Sequence, residues 1–175
     1  MKIFARIIAV VIVLIAGVLI YAATTPDTFR VQRSATIKAP PEKIFALIGD
    51  MRQFNRWNPY ERMDPDKGTY SGPSSGKGAA YAWDSTKLGA GRMEIAETTT
   101  PSLVTMKLDF VKPFEAHNTA EFTLVPKGDS TEVTWAMHGP MPFISKVMCV
   151  FISMDKMVGK DFADGLNNLK ALAEG

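Results

Sequence analysis

The sequence predicts an α+β fold in which a curved antiparallel β-sheet wraps around a long C-terminal α-helix, preceded by one transmembrane helix. Three observations lead to this prediction: an uncharged apolar run near the N-terminus, several short segments of alternating apolar residues in the middle, and an apolar stripe of helical spacing at the end. A run of strands followed by a long helix favours α+β over a fold in which strands and helices alternate.

The N-terminal run has the length and composition of a membrane helix. Lys2 and Arg6 precede an uncharged apolar stretch over 7–23, which with residues 3–5 reaches the roughly 20 residues that cross a bilayer. The alternative is a cleaved signal peptide. Its apolar region is shorter, about 7–15 residues, and the sequence Ala-Ala-Thr ending at Thr24 is a poor cleavage site. We therefore predict a signal anchor over 1–25 and a separate domain over 26–175.

The positive residues at the N-terminus predict the orientation of this anchor. Lys2 and Arg6 should stay on the cytoplasmic side, since cytoplasmic flanks of membrane spans are enriched in lysine and arginine. The expectation is a single-pass protein of the cytoplasmic membrane. It contacts the bilayer through residues 3–23 and carries its domain on the extracytoplasmic side.

The domain begins with one strand and two short helical segments. The alternating segment 29–38 is a predicted strand. Pro41 fits the first position of a helix and Glu42 favours its N-terminus, so a helix is predicted over 41–50. A further short helical turn is expected over 50–57.

The middle of the chain predicts a meander of about six strands. Gly, Pro and Ser dominate 59–78, which indicates loops with one weak strand near 67–71. Gly89 and Gly91 indicate a turn. Alternation of apolar and polar residues predicts the remaining strands at 79–84, 92–96, 103–111, 117–125 and 131–138.

The last helix, predicted over 154–173, has one apolar face, so it needs the sheet to cover that face. Gly165 interrupts the helix at a cost of about 1 kcal/mol relative to alanine. Either the helix packs closely on the sheet there, which we favour, or the missing side chain leaves room for a ligand. The apolar stripe consists of Met154, Val158, Phe162, Leu166, Leu169 and Ala173.

The run 143–154 is unusually apolar and too short to span a bilayer. We expect it to form the buried first half of the C-terminal helix. The alternative is a gate over an internal space that lies against the membrane.

Composition and charge exclude several classes of protein. The 175 residues are 46% hydrophobic and 22% charged with a formal net charge of +2, so the chain is neither disordered nor marked by the basic surface of a nucleic-acid-binding protein. Cys149, the single cysteine, has no partner for a disulfide and is expected to be a small buried hydrophobe. We predict no metal site and no cofactor.

No catalytic motif is present, which favours a binding protein over an enzyme. The sequence has no HExxH, GxSxG, phosphate-binding loop or dinucleotide fingerprint. His117 and His138 should face solvent, because alternation places them opposite the apolar side chains of their strands. The nearest candidates for acid–base chemistry are Asn118, Tyr81 and Asp84.

Several short motifs resemble the START-like (SRPBCC) superfamily, above all its bacterial polyketide cyclase/dehydrase members. The resemblance covers about residues 29–173 and leaves out the membrane segment. The motifs are APPEKIF at 39–45, Phe54-x-x-Trp57-x-Pro59, Gly89-x-Gly91, Thr131-x-Val133-x-Trp135-x-Met137-x-Gly139, and GKDFxxGLxxLK at 159–170.

The resemblance implies the helix-grip fold, in which a curved sheet around a long helix leaves a deep apolar cavity. The large, soft side chains of the inward faces then become candidates for its lining, whereas without the resemblance they would simply fill a core. The candidates are Tyr81, Trp83, Met93, Met106, Phe110, Phe122, Trp135, Met137 and Phe162, with Trp57 and Phe114 near the mouth.

Three functions are compatible with this fold. We favour a membrane-anchored domain that binds a hydrophobic small molecule or lipid in the cavity. The first alternative is a polyketide cyclase/dehydrase-like enzyme that uses the same cavity. The second is a protein-interaction module, as in the related chaperone-activator branch, which would need an exposed apolar patch on the outer face of the sheet.

Overall fold

The computed structural model describes residues 2–175. Its helices and strands follow the predicted order, with a membrane-length helix first, one long strand, short helices, the remaining strands and a long final helix. The elements are α1 (Lys2–Thr24), β1 (Thr28–Ile37), α2 (Pro41–Gly49), α3 (Met51–Trp57), α4 (Pro59–Met63), β2 (Gly68–Ser71), β3 (Ala80–Ser85), β4 (Gly89–Thr99), β5 (Leu103–Lys112), β6 (Ala116–Lys127), β7 (Ser130–Pro140), α5 (Phe143–Cys149) and α6 (Met154–Glu174).

The strands form one open antiparallel sheet, which confirms the predicted fold class. Within residues 2–175 its order is β1-β7-β6-β5-β4-β3-β2, so β2 to β7 are a meander and β1 pairs with β7. The register between β4 and β5 shifts after Ala90 and again after Ile95. Such irregularities bend a strand and increase its twist, which suits a sheet that wraps around a helix.

Helix α6 covers the concave face of the sheet and closes the core. The Phe162 ring stacks on Trp135 of β7, with centroids 4.2 Å apart, and Leu166, Leu169 and Ala173 continue the buried stripe. At Gly165 an added Cβ would lie 2.6 Å from the Trp135 ring and 3.1 Å from Pro59. The glycine is therefore a point of close packing, the interpretation that we favoured.

Helix α4 was not predicted, because 59–78 was interpreted as loop. The signals for it lie in the two residues at its start. The Asn58 side chain accepts a hydrogen bond from Tyr60 N at 3.2 Å, and Pro59 occupies the first helical position. This is an N-cap followed by a proline that has no amide hydrogen to satisfy.

The predicted turn at Gly91 is wrong. Gly91 lies inside β4, two residues after the positive-φ Gly89 that makes the actual turn. The Trp83 ring of the neighbouring strand covers Gly91, where a Cβ would overlap it. Glycine at this position therefore makes room for an aromatic side chain in the middle of the sheet.

The segment 143–154 is not the buried first half of the C-terminal helix. It forms the separate short helix α5, and the chain then leaves helical geometry until Ser153 caps α6 by accepting a hydrogen bond from Lys156 N at 3.3 Å. Most of its large apolar side chains are exposed. Cys149, expected to be buried, is only half-buried.

Helix α1 is long and apolar enough to cross a membrane. Nearly all of its side chains are exposed. The exceptions are Val18, which is half-buried, and Ala22, which is fully buried near the end of the helix. Helix α1 contacts α5.

Candidate functional site

A cavity of about 370 Å³ lies between the concave face of the sheet, α4 and the first half of α6. Its walls are mostly apolar, and its volume falls in the range of about 300–1,000 Å³ that is typical of small-molecule pockets. The residues that line it are Phe54, Asn58, Tyr60, Glu61, Asp64, Lys67, Tyr81, Trp83, Ser85, Leu88, Met93, Leu108, Phe110, Ala116, Asn118, Ala120, Phe122, Trp135, Met137, Met154, Met157, Val158 and Phe162.

The sheet supplies the apolar floor because alternate residues of five neighbouring strands point to the same face. The cross-strand pairs Ala120–Met137 and Phe122–Trp135 bring successive lining positions of β6 and β7 together. Towards the other edge, the Trp83 ring meets Phe110 edge-to-face at 5.9 Å. The floor is therefore built of large aromatic and methionine side chains, with Ala120 leaving space between them.

The opposite wall comes from the first turns of α6. Met154, Val158 and Phe162 recur every four residues and so project from one side of the helix into the cavity. Met157 also lines the cavity, although it is exposed, and so does the exposed Lys67 on the loop after α4. These two exposed lining residues mark the mouth, where the cavity meets its surroundings.

One end of the cavity is polar. The Tyr81 hydroxyl donates to Glu61 Oε2 at 2.7 Å, and Glu61 Oε1 accepts from the backbone N–H of Asp66 at 2.9 Å. The Ser85 hydroxyl donates to Asp64 Oδ2 at 2.6 Å. Two carboxylates are thus held by neighbouring donors at one side of a mostly apolar space.

Burial raises the pKa of both tyrosines that line the cavity. It raises the pKa of Tyr81 above its ordinary value, and the hydrogen bond to Glu61 raises it further. Burial also raises the pKa of Tyr60, with the nearby Asp161 carboxylate adding to the effect. A phenol in this state donates a hydrogen bond, but it does not act as a base near neutral pH.

This arrangement suits a molecule with an apolar body and one hydrogen-bonding end. Nothing in the geometry resembles a nucleophile activated by a base. Among residues 2–175 there is no group of three or more His, Cys, Asp or Glu side chains placed to hold a metal ion.

Comparison with known proteins agrees with this architecture. The model of a protein family described as polyketide cyclase / dehydrase and lipid transport matches residues 28–174. The chain belongs to this family. No protein of curated function matches the sequence.

Solved structures similar to this chain share its fold at low identity. A crystal structure of a Mesorhizobium loti protein has a TM-score of 0.60 at 16% identity and covers 84% of this chain and 100% of its own. A major latex-like protein from Panax ginseng has a TM-score of 0.59 at 14% identity, with 86% and 100% covered. The Aha1 dimer from Colwellia psychrerythraea has a TM-score of 0.56 at 16% identity, with 83% and 96% covered. At these identities the likeness extends to the fold alone.

Most of the residues that the sequence suggested for the pocket of this family member surround the cavity. Three do not line it. Trp57 is fully buried beneath the cavity, where its indole N–H donates to Leu47 O at 3.0 Å. Met106 is fully buried in the core, and Phe114 is 71% exposed on the loop between β5 and β6. The predicted residues that do line it are Tyr81, Trp83, Met93, Phe110, Phe122, Trp135, Met137 and Phe162.

Of the three polar residues suggested for acid–base chemistry, two line the cavity and one does not. Asn118 and Tyr81 line the cavity, whereas the Asp84 side chain is largely exposed and does not. His117 is exposed, and hydrogen bonds to Asp109 and Glu115 raise its pKa. His138 is half-buried.

Among the residues of the polar end, sequence patterns pointed only to Tyr81. Glu61 and Asp64 lie in or just after α4, the helix that was interpreted as loop. The N-cap signal of Asn58-Pro59 could have identified that helix. Nothing in the sequence places it against β3, where Tyr81 and Ser85 meet the two carboxylates.

Proposed function

We propose that residues 26–175 form a binding domain for a hydrophobic small molecule or lipid, and that residues 1–25 anchor it in the membrane. The observation that carries the proposal is the apolar cavity of about 370 Å³ between the sheet and α6. Along the apolar walls, a polar or charged group would lose its hydration without partners to replace the water. An apolar ligand gains free energy when its surface leaves water.

The polar end of the cavity restricts which polar group the ligand can carry. Glu61 and Asp64 bring two negative charges to the lining against the single positive charge of Lys67. A ligand with a carboxylate end would be repelled there, whereas a hydroxyl or amino group would find acceptors. The ligand that fits is thus an amphiphile whose polar end is a hydrogen-bond donor.

The anchor proposal rests on α1. This helix is apolar along its length, and its charged residues, Lys2 and Arg6, lie in its first turns. The positive-inside rule then places the N-terminus in the cytoplasm and the domain on the extracytoplasmic side of the cytoplasmic membrane.

Filling the cavity is the direct test of binding. Ala120 is buried, lines the cavity and faces open space, so Ala120→Phe is expected to weaken binding of an environment-sensitive naphthylamine probe at least tenfold. Thr119→Phe, one residue away on the outer face of β6, is the matched control and should leave the affinity unchanged. Fluorescence titration gives the affinities, and thermal unfolding checks that both variants fold.

Competition against the same probe tests the ligand class. A long-chain alcohol should displace the probe better than the carboxylic acid of equal chain length. Equal probe affinity for the wild type and Ala120→Phe would contradict a ligand site in the cavity.

An enzyme using the same cavity is the second candidate, and the polar end favours it. Glu61 is held by the Tyr81 hydroxyl at 2.7 Å and lines the cavity, so it could exchange a proton with a bound substrate. A protein-interaction module has less support. The outer face of β6 carries the polar side chains of Thr119, Glu121 and Thr123 rather than an apolar patch.

A further inference from the structure

The segment 143–152, here called the docking segment, buries its charged side chain and exposes most of its large apolar side chains. It holds one charged residue, Lys146, and this side chain is only 7% exposed. Ile144 and Phe151 are 68% and 72% exposed, and three other apolar side chains are at least half exposed: Phe143, Met148 and Ile152. Five exposed large apolar side chains within ten residues indicate a surface that binds a partner.

Lys146 of the docking segment and Met141, two residues before the segment, are hydrogen-bonded to the residues that follow α1. The Lys146 ammonium donates to Thr25 O at 2.9 Å and to Asp27 Oδ1 at 2.6 Å. The backbone N–H of Met141 donates to Asp27 O at 2.7 Å. The Lys146 ammonium lowers the pKa of Asp27, which favours the charged form of that carboxyl. The buried Lys146 thus fixes the segment beside the residues where the chain leaves α1.

We propose that the docking segment lies in the interfacial layer of the bilayer that holds α1, with lipid acyl chains covering its exposed apolar side chains. This inference rests on the proposed membrane anchor. A segment pinned within a few residues of the end of a spanning helix lies at the depth of the headgroups and upper acyl chains. Aromatic and large aliphatic side chains are favoured at this depth. The absence of exposed charge over 143–152 fits lipid better than a charged peptide.

The placement also connects the bilayer to the cavity. Helix α6 begins directly after the docking segment, and its first turns carry the lining residues Met154, Met157 and Val158. With the segment in the lipid interface, the mouth marked by Met157 lies next to the membrane. A lipid-like ligand then moves between bilayer and cavity without exposing its apolar body to bulk water.

Depth-dependent quenching on the full chain in phosphatidylcholine nanodiscs tests the placement. Cys149→Ser removes the single cysteine, and Ile144→Cys or Phe151→Cys then carries a fluorescent label on the docking segment. Val13→Cys in α1 is the anchor control, and Asp129→Cys in the β6–β7 turn is the distant control. Lipids with a nitroxide at the headgroup or deep in the acyl chain serve as quenchers.

The expected result is at least twofold quenching of the labels at 144 and 151 by the headgroup quencher. The label at 13 should respond more to the deep quencher, and the label at 129 to neither. Quenching at 13 with none at 144 and 151 would overturn the docking while leaving the anchor intact. No quenching at 13 would overturn both proposals. Labels at 144 and 151 that are shielded from water but not quenched by lipid would mean that a protein, such as a second copy of the chain, covers the segment.

Discussion

Alanine in place of Trp57 is expected to lower the free energy of unfolding by about 3–5 kcal/mol, the usual cost of deleting a large buried aromatic side chain. The indole is fully buried and meets the rings of Phe54, Phe122 and Trp135 edge-on at centroid distances of 4.6–5.9 Å. Its N–H donates to Leu47 O at 3.0 Å, so the substitution also leaves a carbonyl without its partner. Chemical denaturation of residues 26–175 followed by circular dichroism measures the loss.

Trp83→Ala is the matched comparison, because this tryptophan is only half-buried and lines the cavity. Its loss should cost less stability than Trp57→Ala and should weaken binding of the apolar probe. Trp57 acts through the core, so the conservative Trp57→Phe should leave probe affinity within a few-fold of the wild type. If substitutions at position 57 controlled the probe affinity and those at position 83 controlled stability, the probe would not bind in the cavity that Trp83 lines.

Gly165→Ala is expected to destabilise the domain by about 1–3 kcal/mol, although alanine is the better helix former. The new methyl group would lie 2.6 Å from the Trp135 ring and 3.1 Å from Pro59. Trp135 cannot move away easily, because Phe162 stacks on it at 4.2 Å and Phe122 lies against it at 5.1 Å. The strain therefore exceeds the gain in helix propensity, which is about 1 kcal/mol. The same denaturation experiment measures it.

Gly159→Ala in the same helix provides the control. Its methyl group would meet the tip of the Arg33 side chain, which can rotate away. The cost is a partly exposed ion pair between Arg33 and Asp155, and such pairs contribute about 0–1 kcal/mol. Stability should change by less than about 1 kcal/mol. A Gly165→Ala variant as stable as the wild type would mean that α6 does not press on Trp135 at this point.

Local patterns predicted most of the fold because the spacing of apolar residues within one segment already distinguishes a helix from a strand. The spacing of the α6 stripe specified a helix with one buried face, and alternation along 103–111 and 117–125 specified two strands that the structure confirms as β5 and β6. Pro41 and Glu42 likewise identified the start of α2.

The errors occurred where contacts distant in sequence override local signals. Gly91 looked like a turn residue, but it lies in strand β4. It is a glycine because the Trp83 ring occupies the space that a side chain would need. The run 143–152 looked like a core segment, since apolar residues are usually buried, yet Lys146 is the side chain that turns inward to reach Thr25 and Asp27. No local pattern reveals a lysine partner about 120 residues away.

Contacts between distant segments also decide which of the inward-facing side chains line the cavity. Alternation placed Trp83, Phe110 and Met137 on the inward face, and the structure puts them around the cavity. It could not separate lining positions from filled ones, so Met106 looked the same as its neighbours although it is fully buried. That distinction depends on which helix packs against each strand, and α2 contacts β5, the strand of Met106.

Native mass spectrometry of residues 26–175, purified without detergent and incubated with the lipid extract of the expression host, tests the central claim most directly. The account predicts one bound apolar molecule, recovered with unchanged mass, that is retained by Thr119→Phe and lost from Ala120→Phe. A recovered molecule of altered mass would favour the enzyme. A wild-type domain that binds nothing, or that binds no better than Ala120→Phe, would contradict a hydrophobic ligand in the cavity.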